Sequence, residues 1–139
     1  MTYQPKVYRK QGGNKLVVAA GGRITYTLTP TDLTTAGAET YTAAQLAGGI
    51  ITRDPNGAGR TDTTDTAANL ISALSLENDG ETADCYLINT ADAAEAITIQ
   101  GGTGVTVSNA GQTVGQNESA LLVFRRTSST AVTLYIVGA

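Results

Sequence analysis

Residues Gly49 to Leu76 read GIITRDPNGAGRTDTTDTAANLISALSL, and this stretch decides how the rest of the chain is interpreted. Ile50-Ile51 opens a short β-branched run that ends at Thr52-Arg53. Asp54-Pro55-Asn56-Gly57 then has turn chemistry: proline presets φ, asparagine tolerates the left-handed region and glycine adopts it without steric cost. After the polar run Arg60 to Thr64, Asp65 is placed to cap a helix over about residues 65–76. Ala67, Leu70, Ile71 and Leu74 recur at the spacing that puts them on one helical face. That face is expected to lie on a sheet. Just upstream, Thr42-Ala43-Ala44-Gln45 matches a capping box and Gly48 offers a left-handed stop, so Thr42 to Ala47 is expected to make one or two helical turns.

Outside this unit the pattern is β. Ile24, Tyr26 and Leu28 alternate with threonines up to Pro30, which predicts a half-buried strand, and Thr31 to Thr40 reads as a polar loop. Strands are expected at Leu16–Val18, Cys85–Ile88, Ile97–Ile99, Val105–Val107, near Val114, at Ala120–Arg126 and at Val132–Val137. Gly101 to Gly104 reads as a hairpin turn between two of them. The last two strands are expected to pair across Thr127 to Thr130. Ala120 to Phe124 is apolar throughout, which places that strand centrally or against another subunit. No internal repeat is evident. The fold class expected is mainly β: a compact antiparallel sandwich or barrel-like domain over residues 14–139, with one main helix and an extended N-terminal arm over residues 1–13.

The 139 residues contain 12 acidic and 9 basic side chains and no histidine, for a formal net charge of −3. Charged residues are only 15%, against about 25% in an average globular chain. A sparsely charged surface fits a chain partly covered by copies of itself or by a partner. Five basic residues, Lys6, Arg9, Lys10, Lys15 and Arg23, all precede Asp32, the first acid. Within the arm Tyr3, Lys6, Tyr8, Arg9 and Lys10 are therefore the expected partner contacts. They form no clustered run with a stacking platform, so nucleic acid is not an expected partner. The absence of a long apolar run predicts no membrane helix and no signal peptide, hence synthesis in a cytoplasm.

Site chemistry is sparse. Without histidine the commonest general base is missing, and Cys85, the single cysteine, lacks the partner needed for Cys-His catalysis. Its apolar setting marks it as a buried small hydrophobe. Gly101 to Gly104 lacks the lysine of a phosphate loop. Asp54, Asn56, Gly59, Asp62 and Asp65 fall at positions one, three, six, nine and twelve of a calcium-loop register. However, Ala58 replaces an oxygen ligand, Asp65 is shorter than the usual glutamate, and a strand precedes the loop. A turn followed by a helix cap accounts for the same residues. No enzyme activity, cofactor or metal is expected. Instead, Arg53 or Arg60 is expected to pair with Asp54 or Asp62 and fix the central turn, so that its loss lowers stability.

Taken together, Ile50 to Thr63, Ile88-Asn89-Thr90-Ala91-Asp92 and Thr98 to Thr106 resemble the decoration, or cement, proteins that coat the capsids of tailed bacteriophages. The resemblance spans about Thr40 to Ala139 and is carried most by Arg53-Asp54-Pro55 through Arg60-Thr61-Asp62-Thr63. Thr64-Asp65 stands where the family would have Leu-Pro ahead of the helix. The resemblance implies a non-enzymatic virion structural protein, often a homotrimer, that sits on the outer capsid surface and bridges subunits of the major capsid protein. A tail-fibre or host-recognition module binding surface glycan, and a tail-tube subunit, are the alternative readings.

Overall fold

The computed structural model describes residues 6–9 and 16–139, and the fold is mainly β. Val7–Arg9 (β1) and Leu16–Val18 (β2) pair antiparallel as a two-stranded ribbon. The expected arm is therefore, where described, half of a ribbon: Lys6 precedes β1, Tyr8 and Arg9 lie within it, and Tyr3 and Lys10 fall outside the described residues.

From Thr31 the chain switches sheet with every strand until the final hairpin, whose two strands share one sheet. Thr31–Leu33 (β3), Ile50–Arg53 (β5) and Thr82–Asn89 (β7) run parallel side by side in one sheet. Thr40–Tyr41 (β4), Arg60–Thr64 (β6) and Ile97–Gln100 (β8) run parallel in the other. Helices Ala43–Ala47 (α1) and Ala67–Ala73 (α2) follow β4 and β6 and pack against each other. The result is a coil of strand, crossing turn, strand and helix, made twice and then begun a third time with β7 and β8. Val105–Val107 (β9), Thr113–Val114 (β10), Ser119–Ser128 (β11) and Ala131–Val137 (β12) complete it. Strand β11 is antiparallel to both β7 and β12, while β9 joins β12 in parallel. The six-stranded order is β3-β5-β7-β11-β12-β9 and the four-stranded order β10-β8-β6-β4.

Several expectations are corrected by this topology. The sheets are mixed, because successive coils stack in the same direction, whereas only the closing strands reverse. The loop expected at Thr31 to Thr40 contains β3. Gly101 to Gly104 crosses from β8 to β9, in the other sheet, and makes no hairpin. A repeat also exists: Thr42-Ala43-Ala44-Gln45-Leu46 and Thr66-Ala67-Ala68-Asn69-Leu70 occupy the same place in consecutive coils. Each threonine accepts from the backbone N–H three residues on, and each leucine is fully buried. Thr42 and Gln45 complete the capping box. Leu46 and Leu70 join Ile51, Leu87, Leu122, Phe124, Leu134, Ile97, Ile99 and Val114 in one core shared by both sheets and both helices. Burial of each such side chain contributes about 1.5–3 kcal/mol.

The second helix is capped by Thr66 rather than Asp65, and is shorter than expected. Asp65 has a wider role. Its Oδ2 accepts from Ala43 N–H at the start of α1, at 2.9 Å, while its Oδ1 accepts from Thr66 N–H and the Asn69 side chain, both at 2.7 Å. One carboxylate thus ties together the N-termini of two successive helices. At the other end of α1, Gly48 is helical and Gly49 takes the positive φ of 85°. A Cβ at Gly48 would lie 2.4 Å from Thr29 O, so only glycine lets the preceding segment pass there. That segment carries Ile24, Tyr26 and Leu28. It forms no strand, because alternation supplies an apolar face but no sheet edge among the described residues pairs with it.

Partial burial pushes the Asp65 pKa up, but the three donors outweigh it and hold the carboxyl below its ordinary value of 3.8. A depressed carboxylate adds stability above that value and loses it as pH falls through the folded pKa. Asp65→Ala should therefore lose about 1–2 kcal/mol in urea unfolding at neutral pH, the cost of vacating a helix cap. Its stability should also decline less than that of the wild type as pH falls below the ordinary carboxylate value, the range in which the depressed carboxyl of the folded chain takes up its proton.

Candidate functional site

The turn after β5 is held from inside. Arg53 and Asp62 are both 0% exposed, and Arg53 Nε lies 2.9 Å from Asp62 Oδ2. The same guanidinium donates through Nη1 to Thr35 O and Asp54 O, at 2.9 and 2.6 Å, and through Nη2 to Gly37 O. Asp62 in turn accepts from Tyr41 Oη on Oδ2 at 2.7 Å and from Glu39 N–H on Oδ1 at 2.8 Å. The fold brings Arg53 and Asp62 together because β5 and β6 leave and enter the same crossing turn from opposite sheets. Asp54 and Arg60 are not part of this pair. Asp54 Oδ1 accepts from Asn56 N–H, closing a turn in which Asn56 and Gly57 both have positive φ. Arg60 donates its backbone N–H to Ala96 O.

The calcium-loop register is dismantled by the same geometry. Asp62 serves the ion pair and Asp65 the two helix caps, so neither is available with Asp54 to one cation.

Asn89 is the residue that sequence reading passed over. It lies opposite Arg53 in the β5–β7 ladder, at the point where β7 leaves the sheet. Its side chain donates to Glu95 O and Val114 O, and accepts from Ala91 N–H. A lone buried asparagine leaves no periodic signal; its position just after Ile88 in an apolar strand is the only clue.

The surface with the most unusual chemistry is the outer face of the larger sheet. Ladder partners place Tyr86 beside Leu121, Leu121 beside Val137, and Val123 beside Tyr135. Tyr86, Tyr135 and Val137 are 50%, 37% and 54% exposed, and Leu121 and Val123 are half-buried. Where the segment before β3 passes Gly49, Tyr26 and Leu28 meet Tyr86, Ala47 and Asp84 around an open depression of ≈ 550 Å³. Tyr26 is 78% exposed. The face becomes polar toward its far end, where Arg125 stands between Thr82 and Thr133. The exposed β1–β2 ribbon adds Val7, Tyr8, Leu16 and Val18 to the apolar surface. Scattered apolar residues on a surface are ordinary, whereas these form a contiguous row across three strands.

Among the described residues, Cys85 is buried on the inner face of the sheet. Burial, with the neighbouring charge of Asp84, pushes its thiol up to about 12. No protein-family model matches this chain, and neither a curated protein nor a solved structure is significantly similar to it.

Arg53→Ala would leave Asp62 buried and unpaired, so it should lower unfolding stability by about 3–5 kcal/mol, far beyond the 0–1 kcal/mol of a surface pair. Arg53→Lys should recover little of this, since one ammonium cannot serve four acceptors spread around a planar fork. A second effect appears in alkali. The Tyr41 hydroxyl is held above its ordinary value of 10.0 by burial first and by Asp62 second, and Cys85 sits above its ordinary 9.0. The folded chain keeps protons that the unfolded chain releases, so stability should fall as pH rises above about 9, with a shallower decline in Tyr41→Phe when urea midpoints are compared.

Proposed function

We propose that this chain is a non-enzymatic structural protein of a tailed-phage particle, which associates with copies of itself and binds the outer capsid surface, bridging subunits of the major capsid protein. The observation that carries the reading is the contiguous apolar row Tyr86–Leu121–Val137 with Tyr26 and Leu28 beside it. A water-exposed face of this kind is suited to burial against a second copy, and closed symmetry, a trimer in the family resembled, would limit assembly. The low charge content and the likeness of residues 40–139 to cement proteins support the same reading.

In this reading the two sheets are the halves of a sandwich-like body and residues 1–13 are the arm. Lys6, Tyr8 and Arg9 on the exposed ribbon, with Tyr3 and Lys10, contact the acidic or neighbouring subunit surface. Repetition over many capsid sites would raise a modest single-site affinity by avidity.

Tyr86→Lys alters an exposed side chain and should leave stability within about 0.5 kcal/mol, while self-association measured by sedimentation velocity weakens at least tenfold. Mass spectrometry of sedimented particles should find this chain at a ratio to the major capsid protein near one or a simple fraction of it. A handful of copies per particle would favour the tail or host-recognition reading instead, and absence from particles would overturn the assignment.

A further inference from the structure

The crossing turns of successive coils lie side by side at one edge of the fold: residues 34–39 after β3, 54–59 after β5 and 90–96 after β7. Between the first two, the positive charge is supplied by the chain itself, since the Arg53 guanidinium donates to Thr35 O and Gly37 O of one turn and to Asp54 O of the next. Between the second and third the arrangement is reversed. Asp54, Asp92 and Glu95 bring carboxylate oxygens within 4.8 Å of one another. The ion pairs among the described residues are Arg53–Asp62 and Arg126–Asp79, and neither includes any of the three.

A second observation distinguishes this cluster from ordinary surface acids. Glu95 is 5% exposed, and its Oε2 is a buried oxygen without a hydrogen-bond partner. Its Oε1 accepts from Gly57 N–H at 2.6 Å, which turns the carboxylate toward the turn that begins at Asp54. Asn89 fixes the other wall, with its side chain on Glu95 O and Ala91 N–H. A buried carboxylate oxygen costs free energy unless something compensates it, and here two more carboxylates lie within 4.8 Å while no cationic side chain among the described residues pairs with it.

We propose that Asp54, Asp92 and Glu95 form a divalent-cation site, selective for calcium over magnesium, that joins the second and third crossing turns. The donors are all hard oxygens, the chemistry that calcium and magnesium prefer. Oxygens up to 4.8 Å apart can lie across one ion at the calcium–oxygen distance of about 2.3–2.6 Å, whereas the shorter and strictly octahedral magnesium shell fits two independent loops poorly. Water and turn carbonyls would complete the shell. The site shares only Asp54 with the calcium-loop register read from the sequence, and its other two ligands come from a turn about forty residues later.

The test is calorimetric titration of the full chain, stripped with EDTA, with calcium chloride and separately with magnesium chloride. One saturable site per chain is expected, with a calcium affinity in or below the range of about 0.1–1 mM seen for loop-built sites and weaker magnesium binding. Saturating calcium should raise the thermal midpoint by about 5–10 °C over EDTA. Asp92→Asn, an exposed change, should weaken calcium binding at least tenfold while leaving the EDTA midpoint unchanged or higher, because it relieves repulsion. Glu95→Gln should abolish binding if it folds. No heat at about 5 mM calcium together with identical midpoints in calcium and EDTA would overturn the proposal, as would calcium binding that survives Asp92→Asn undiminished.

Discussion

A guanidinium that reaches no water has to find acceptors within the protein, and Arg53 gives each of its nitrogens at least one by gathering two crossing turns and a carboxylate from the opposite sheet. This demand organises the fold. Because Arg53 ends β5 and Asp62 lies within β6, satisfying the pair sets where the chain leaves one sheet and enters the other. Tyr41 and Glu39 then draw β4 onto the same carboxylate. Hydrophobic burial supplies most of the driving force and excludes one-residue slips, but a two-residue slip keeps the same face buried. Desolvating a charge with incomplete partners is costly enough that alternative registers are disfavoured.

The coil built on this pair is stabilised at its other corner by Asp65. There, a carboxylate of one coil caps the helix of the preceding coil as well as its own. Arg53 and Asp65 thus play complementary parts, a cation gathering carbonyls at the crossing turns and an anion gathering N–H groups at the helix starts. Stacked units of this kind gain stability mainly from contacts with their neighbours, so groups that bridge adjacent coils matter more than those within one. The third coil has no helix. Its open side is closed by β11, which lies between β7 and β12 and inserts Leu122 and Phe124 into the core.

The same architecture leaves two surfaces unresolved by internal contacts. The outer face of β7, β11 and β12 carries apolar side chains that no helix covers, because α1 and α2 both lie on the core side. The crossing-turn edge carries three carboxylates where the preceding interval has Arg53. Both are places where the folded chain still presents an uncompensated chemical demand, one for apolar area and one for positive charge. A particle coat protein would meet the first with neighbouring subunits, and an ion would meet the second.

Local chemistry made much of this readable. The β character, the strands at Leu16–Val18, Val105–Val107 and Val132–Val137, the Thr42 capping box and the Asn56-Gly57 turn all follow from side chains acting within a few residues. So does the burial of Cys85. The helix cap was misassigned by one residue because Asp65 and Thr66 are both good caps, and only the position of α1 gives Asp65 a different occupation. Ile24 to Leu28 has the alternation of a strand, yet alternation describes one segment and a strand requires two. What the sequence by itself determined, then, was the β character, several of the strands, the two helix starts and the chemistry of the turns. The tertiary structure alone decided the parallel stacking, the choice of Asp62 as partner for Arg53, the role of Asn89, and the meeting of Asp54 with Asp92 and Glu95. Each of these depends on groups brought together across sheets or coils, and no spacing along the chain encodes that distance.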